Sequence, residues 1–391
     1  MFDKFQLLKG ETLSYGLGIA ILVVVSAVGY FCAHYMEVEG HWVTGMNNQV
    51  VWGLPHVFAI FLILTASGAL NVASLGSVFK KEGYKPWARL SALVSICMLV
   101  GGLLVLVLDL GRPERLIVAM THYNFKSIFA WNIFLYTGFA LIVVAYLWTM
   151  FEPAQNKHSP RAGLLAFCWR FVLTAGTGSI FGFIVARELF DSAMMVPVFI
   201  VLSLVLGTAV FLLVSRLLHI WSDSGNKLPD SWFHLGNLLG IFIALELFLV
   251  AAMYLTGLYA AEHQAVQWYV LRDGGQLTAL FWIGQVFLGG IVPLLLLFRD
   301  GGNSSVRVLT AALLGVLGGL SQLYVTIIGG QTFPQSLFPG KTVSSSFYDG
   351  VTTTYLPSLP EFGLGLGGVA LAMLLVVAGS RILPFYPKLP E

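Results

Sequence analysis

Three short stretches carry residue types that could do chemistry. Trp52 and His56 stand in Trp-Gly-Leu-Pro-His, and Asp109 and Arg112 in Asp-Leu-Gly-Arg-Pro. Trp131, Asn132 and Tyr136 follow within six positions of one another. Aromatic faces, a near-neutral base, a carboxylate and a guanidinium suit a flat apolar ring with two carbonyls, such as a quinone. Its two-electron chemistry needs two protons supplied or removed, and a His with a partly buried carboxylate can exchange them. Gly111 and Pro113 interrupt any helix ending at Asp109, and irregular backbone at membrane depth can line a cavity. Plainer readings stand beside these: an interhelical bond for His56, an ion pair closing a span for Asp109 and Arg112, and the interfacial aromatic belt for Trp131 and Tyr136.

Two more charges sit inside apolar runs. Glu246 lies in Ile-Phe-Ile-Ala-Leu-Glu-Leu-Phe-Leu-Val and Arg170 in Cys-Trp-Arg-Phe-Val. A Glu at mid-depth in hydrocarbon is protonated or paired. It reads either as a step in a proton path or as a neutral carboxyl bonding a neighbouring helix, with Arg170 the candidate partner. Haem b would need two His facing each other at one depth, and His34, His56, His219 and His234 offer poor pairs. Without a CxxC motif, iron–sulfur ligation by Cys32, Cys97 and Cys168 is not expected either. Those cysteines read as small buried hydrophobes.

The elements that must position these groups are membrane helices. Of 391 residues, 57% are hydrophobic and 10% charged, against about 25% charged in soluble chains, and mean hydropathy is +0.83. A soluble enzyme and a disordered chain are excluded. With 21 Lys+Arg against 19 Asp+Glu there is no basic stripe for nucleic acid. The continuous apolar runs exclude an outer-membrane barrel. A span needs about 20 apolar residues, and such runs lie near 13–36, 50–79, 88–110, 126–150, 162–186, 194–221, 233–260, 276–298, 304–328 and 362–383. The first run is too long for a signal peptide and reads as a span. His56 then falls about two turns into the second span and Arg170 two turns into the fifth. The Gly-, Pro-, Ser- and Thr-rich connection 329–361 reads as an ordered flap or docking surface. Paired small residues such as Gly101-Gly102, Gly289-Gly290 and Gly318-Gly319 permit close helix packing.

With the N-terminus cytoplasmic, thirteen basic residues (Lys4, Lys9, Lys80, Lys81, Lys85, Arg89, Lys157, Arg161, Lys227, Arg299, Arg307, Arg381, Lys388) lie inside. Six (Arg112, Arg115, Lys126, Arg187, Arg272, Lys341) lie outside. The bias puts both termini inside. His56, Asp109, Trp131, Asn132, Tyr136, Glu188 and Asp191 then gather near the periplasmic interface.

The segments Asp109-Leu-Gly-Arg-Pro and Asn124-Phe-Lys-Ser-Ile-Phe-Ala-Trp131-Asn resemble the NrfD/PsrC family of quinone-interacting membrane subunits. Met46-Asn-Asn-Gln-Val-Val-Trp-Gly-Leu-Pro-His56 and Gly329-Gly-Gln-Thr-Phe-Pro-Gln-Ser-Leu-Phe-Pro-Gly340 resemble its ten-span branch. That branch includes HybB-type hydrogenase subunits and, as the nearer likeness, the DsrP subunit of the DsrMKJOP sulfur-metabolism complex. Many members carry His where this chain has Asp109. The resemblance implies an all-α, polytopic fold of about ten helices in NrfD-like bundles, one domain over 1–391, in a bacterial inner membrane. It implies menaquinone or ubiquinone as ligand, with no haem or cluster held by this chain. A periplasmic ferredoxin-like iron–sulfur subunit, and further cytochrome or catalytic subunits, would be its partners. The chain would be a non-autonomous part of an oxidoreductase, with coupling to proton translocation through Asp109, Glu246 and Arg170. His56, Asp109 and Arg112 fall in the family's quinone pocket, Tyr136 more loosely. The alternatives are a proton-coupled secondary transporter using Glu246 and Arg170, and a passive anchor for peripheral redox subunits.

Overall fold

The computed structural model describes residues 5–222, 227–299, 304–335 and 351–388. Ten helices there are long and apolar enough to cross a membrane: α1 (Leu13–Glu39), α2 (Leu54–Ser77), α3 (Glu82–Leu108), α4 (Ile128–Phe151), α5 (Pro153–Gly182), α6 (Met195–Trp221), α7 (Asp230–Tyr259), α8 (Gln276–Phe298), α9 (Ser305–Thr332) and α10 (Leu359–Ile382). Each expected run has its helix, so the chain is an all-α polytopic membrane protein. Hydrocarbon forces this outcome, because only helices satisfy their own backbone groups within one apolar segment.

The helices form two four-membered bundles, α2–α5 and α6–α9, joined where α2 packs on α6 and α9 and α5 packs on α6. α2 is apolar all round and lies wholly inside, as such a helix must. Its backbone meets that of α6 at Gly68, where an added Cβ would collide with the Ser203 carbonyl and Gly207. α10 packs on α3 and α2, and α1 packs on α10 through Gly29 against Gly367. Most of α1 faces outward.

Phe5–Gln6 pairs antiparallel with Tyr386–Pro387, so the first and last described segments lie on one face, hereafter the terminal face. There Arg89 donates to the Met150 carbonyl at 2.5 Å and lies over the rings of Phe5 and Phe151. His219 Nδ1 meets the Tyr386 hydroxyl at 2.9 Å. The described parts of the loops after odd-numbered helices lie on the opposite face.

Four local expectations change. α2 starts only at Leu54, because Gly53 is extended and Pro55 occupies the first turn. His56 is therefore in the first turn of α2, with Trp52 in the loop before it. Arg170 sits at the middle of its helix, since α5 ends at Gly182. Of the connection 329–361, Gly329–Thr332 form the buried end of α9, residues 336–350 lie outside the described residues, and 351–358 return toward α2. Of the cysteines, Cys97 is buried, Cys32 is half-buried and Cys168 is exposed on the outer surface. The break after α3 is as expected: Asp109 caps the helix, and Gly111 and Pro113 stop its continuation.

Candidate functional site

On the opposite face, where the two bundles meet, the Trp52 indole lies in an aromatic box. Its ring is parallel to His56 within 9°, with centroids 5.2 Å apart, and within 30° of Phe190 at 6.2 Å. Phe181 presents its edge at 5.7 Å and Phe129 is tilted at 5.9 Å. These rings come from α2, α4, α5 and the α5–α6 turn, so the box is made by the first bundle and the turn that leads out of it. His56 is buried, yet its ring nitrogens make no hydrogen bond among the described residues.

The loop carrying Trp52 is fixed by the second bundle. Gln331, buried at the end of α9, accepts at Oε1 from the backbone N–H groups of Val51 (2.9 Å) and Trp52 (3.0 Å). Its Nε2 donates to the Trp52 carbonyl at 3.0 Å and to Ile327 at 2.8 Å. Arg187 donates to the carbonyls of Gln331 and Gln49, both at 2.9 Å. An amide suits this position because it both donates and accepts.

Beside the box lies a chain of acids. Glu361, wholly buried in the first turn of α10, accepts from Gly45 N–H (2.8 Å), Ser358 N–H (2.7 Å) and the Tyr355 hydroxyl (2.5 Å). Tyr355 accepts in turn from Leu54 N–H at 2.6 Å, at the start of α2. Burial, and then Glu361, hold the Tyr355 phenol above its ordinary range. Asp109 stands at the end of α3, with its carbonyl on His41 Nε2 at 3.0 Å and its Oδ1 buried without a partner. Burial, and then the negative charge of Glu361, push the Asp109 carboxyl up to about 8. It therefore holds a proton near neutrality and can release one, which an ordinary aspartate there would not do.

The other expected residues do not all converge. Arg112 is exposed and makes no ion pair with Asp109, because the break at Gly111 turns the chain outward before it. Trp131 is exposed too, donating to the Phe125 carbonyl at 2.9 Å within a surface group of Tyr123, Phe125 and Phe134. Asn132 is buried on α4 and bonds the carbonyls of Ile128 and Gly176, and Tyr136 is buried one turn deeper.

The expected Arg170–Glu246 pair is not formed. Arg170 donates to Asn71 Oδ1 at 3.2 Å and lies 4.2 Å over the Phe171 ring, inside the first bundle. Glu246 accepts from Gln322 Nε2 at 2.5 Å, inside the second. The bundles separate two charges that hydropathy alone places at similar depth.

Gln331, Glu361, Tyr355, Arg187 and the three phenylalanines escaped the motif-based reading. Gln331 stood in a stretch already singled out, Gly329-Gly-Gln-Thr, and a Gln among apolar residues at a helix end is a usable signal. Glu361, at the head of an apolar run, is another.

The family description "Polysulphide reductase, NrfD" matches residues 42–335, which encompass α2–α9, the two bundles. The Hdr-like menaquinol oxidoreductase integral membrane subunit of Archaeoglobus fulgidus is 28% identical over 99% of this chain and 98% of its own. The putative dimethyl sulfoxide reductase membrane subunit of Halobacterium salinarum is 31% identical over 96% and 92%. The integral membrane subunit of the menaquinone reductase of Nitratidesulfovibrio vulgaris is 25% identical over 95% and 92%.

Proposed function

The chain belongs to the NrfD polysulphide reductase family, and from that premise we propose that it is the quinone-interacting membrane subunit of a multi-subunit oxidoreductase. Its electrons pass between the quinone pool and an iron–sulfur subunit docked on the face opposite the termini. The quinone is menaquinone or ubiquinone; two relatives whose names carry menaquinol or menaquinone favour the former. Terminal chemistry, in sulfur metabolism or with another acceptor, belongs to partner subunits. The membrane is the bacterial inner membrane with both termini cytoplasmic, a placement supported by the thirteen-to-six distribution of Lys and Arg.

One observation carries this reading: the aromatic box at Trp52 and His56 lies beside the buried Glu361, which stands against Gly53 and whose charge acts on Asp109, a carboxyl with a buried, unpartnered Oδ1. The residues fit a quinone. The unpartnered Oδ1 of Asp109 is a buried polar group lacking the partner such groups normally have. Carbonyl oxygens would supply acceptors for a protonated Asp109 and for the His56 N–H. A bound quinone supplies the two-electron redox couple. The chain's own residues wall the ring with Trp52 and the phenylalanines, hold Trp52 through Gln331, and hold or release a proton at Asp109. Glu361 sets the Asp109 proton affinity through its charge.

The test is titration of the purified protein with a quinone-analogue inhibitor, followed by tryptophan fluorescence. Saturable quenching that weakens in His56→Ala and Asp109→Asn supports the site. Saturable quenching unchanged by either substitution moves the pocket elsewhere, and no binding to the assembled complex ends the reading.

A further inference from the structure

The second bundle contains a polar site with no part in the aromatic box. Glu246, midway along α7 and only 6% exposed, shares a cavity with Gln285 of α8 and Gln322 of α9. Gln322 occupies Oε1, and Oε2 is buried with no partner. No other charged group among the described residues lines this cavity: α6 contributes Leu202 and Val205, α8 Gln285 and glycines, and α9 Gln322 and glycines. With nothing to balance a carboxylate, and unbalanced charge costly at this depth, this is a place for a proton. α8 is also π-helical from Leu280 to Ile291, across Gln285. π-helical turns are rare and frequently mark functional positions.

A second cleft opens on the opposite face at the end of the same helix. Glu188, Asp191 and His263 line it together with Gln267, which is 6% exposed and has its Oε1 buried without a partner. Burial holds the Glu188 carboxyl above its ordinary range, with His263 opposing. Both cavities use one face of α7. Ile243, Glu246 and Val250 line the inner one, and Met253, Gly257 and Ala260 the outer one. These spacings of three and four residues stack side chains on a single stripe. From Val250 to Met253 is three residues, just under one helical turn and about 4.5 Å of rise. The unbranched Met253 side chain, which adapts its shape readily, stands at that turn.

We propose that Glu246 is a proton-binding site that fills and empties from the opposite face through the Glu188–Asp191–His263 cleft, past Met253. In the filling step a hydronium in the cleft gives up a proton, an O–H bond forms at Glu246 Oε2, and water remains; no electrons move. Gln322 holds the carboxyl through Oε1 in both states. The site rests on its own geometry and stands whether or not a quinone binds at Trp52.

Infrared difference spectroscopy of the full chain in its membrane complex tests this without using turnover. The carboxylic C=O band that disappears in Glu246→Gln identifies the group, and its shift after transfer to D2O times proton exchange. Met253→Trp fills the turn between the cavities, and Glu188→Gln with Asp191→Asn neutralises the cleft. The band is expected to exchange several-fold more slowly in both variants, with its frequency retained. Exchange as fast in Met253→Trp as in the native chain would overturn the route. A native spectrum with no carboxylic band assignable to Glu246 would overturn the site. Should Glu246→Gln fail to assemble, Glu246→Asp still identifies the band by displacing it, and an unmoved spectrum would count against the site.

Discussion

Asp109 caps α3 just beyond its last helical residue and Glu361 stands in the first turn of α10, and the charge of Glu361 adds to burial in pushing the Asp109 carboxyl up to about 8. Glu361 is wholly buried, accepts three hydrogen bonds and belongs to a helix beyond the stretch matched by the family description. A group outside the two bundles thus tunes an acid at their mouth.

The sign of the pH dependence follows. Asp109 is raised from an ordinary value of 3.8 to about 8, so the folded chain holds a proton there that the unfolded chain has lost. Its contribution favours the folded state below that window and is lost as pH rises through about 8. Quinone-linked turnover that uses this proton falls over the same limb. Glu361→Gln removes the lesser of the two causes, so the limb moves to lower pH without disappearing, as a pH–rate profile of the assembled complex would show. Asp109→Asn abolishes turnover while assembly persists; retained turnover would remove Asp109 from the mechanism.

Trp52→Leu deletes the ring that His56, Phe190, Phe181 and Phe129 surround. Aromatic pairs contribute about 0.5–1.5 kcal/mol each beyond their buried area. Quinone-analogue affinity should fall by about tenfold, which corresponds to roughly 1.4 kcal/mol. Equal affinity in isothermal titration would place the ring elsewhere.

Gln331→Ala removes two bonds from backbone N–H groups and one to the Trp52 carbonyl. Each is worth about 1 kcal/mol net, so the loop before α2 should loosen by roughly 2–3 kcal/mol. Faster amide exchange at Val51 and Trp52, together with weaker analogue binding, is the expected result. Gln331→Glu keeps the acceptor and loses the donor, and should fall between the two.

Arg170 and Glu246 make no contact with each other and have separate partners. The effects of Arg170→Met and Glu246→Gln on stability should therefore add to within about 0.3–0.5 kcal/mol. A larger coupling in the double-mutant cycle would restore the ion pair expected from hydropathy.

Gly68→Leu should prevent the bundles from docking. A Cβ at Gly68 strikes the backbone of α6 at Ser203 and Gly207, and backbone cannot move aside as a flexible side chain can. Loss of folded protein on detergent extraction is the expected outcome, whereas Gly16→Ala, in open space on α1, should be neutral.

Sequence by itself determined the ten membrane helices, the break after Asp109, and the nearness of Trp52 to His56. Each follows from a local cause: the transfer of about 20 consecutive apolar residues into hydrocarbon, a Gly–Pro interruption, or a spacing of four residues. Helix starts were less legible, because Gly53 and Pro55 place His56 in a first turn that hydropathy extends further back. The tertiary structure decided the rest. Gln331 reaches Trp52 across 279 positions and Glu361 reaches Gly45 across 316. Arg170 and Glu246, alike in depth, face into different bundles. Hydrocarbon sets how deep a residue lies and is indifferent to the rotation of a helix about its axis. That rotation, and with it the partner of every buried polar group, is set by close packing at glycines such as Gly68 and Gly207 and by the hydrogen bonds that packing permits.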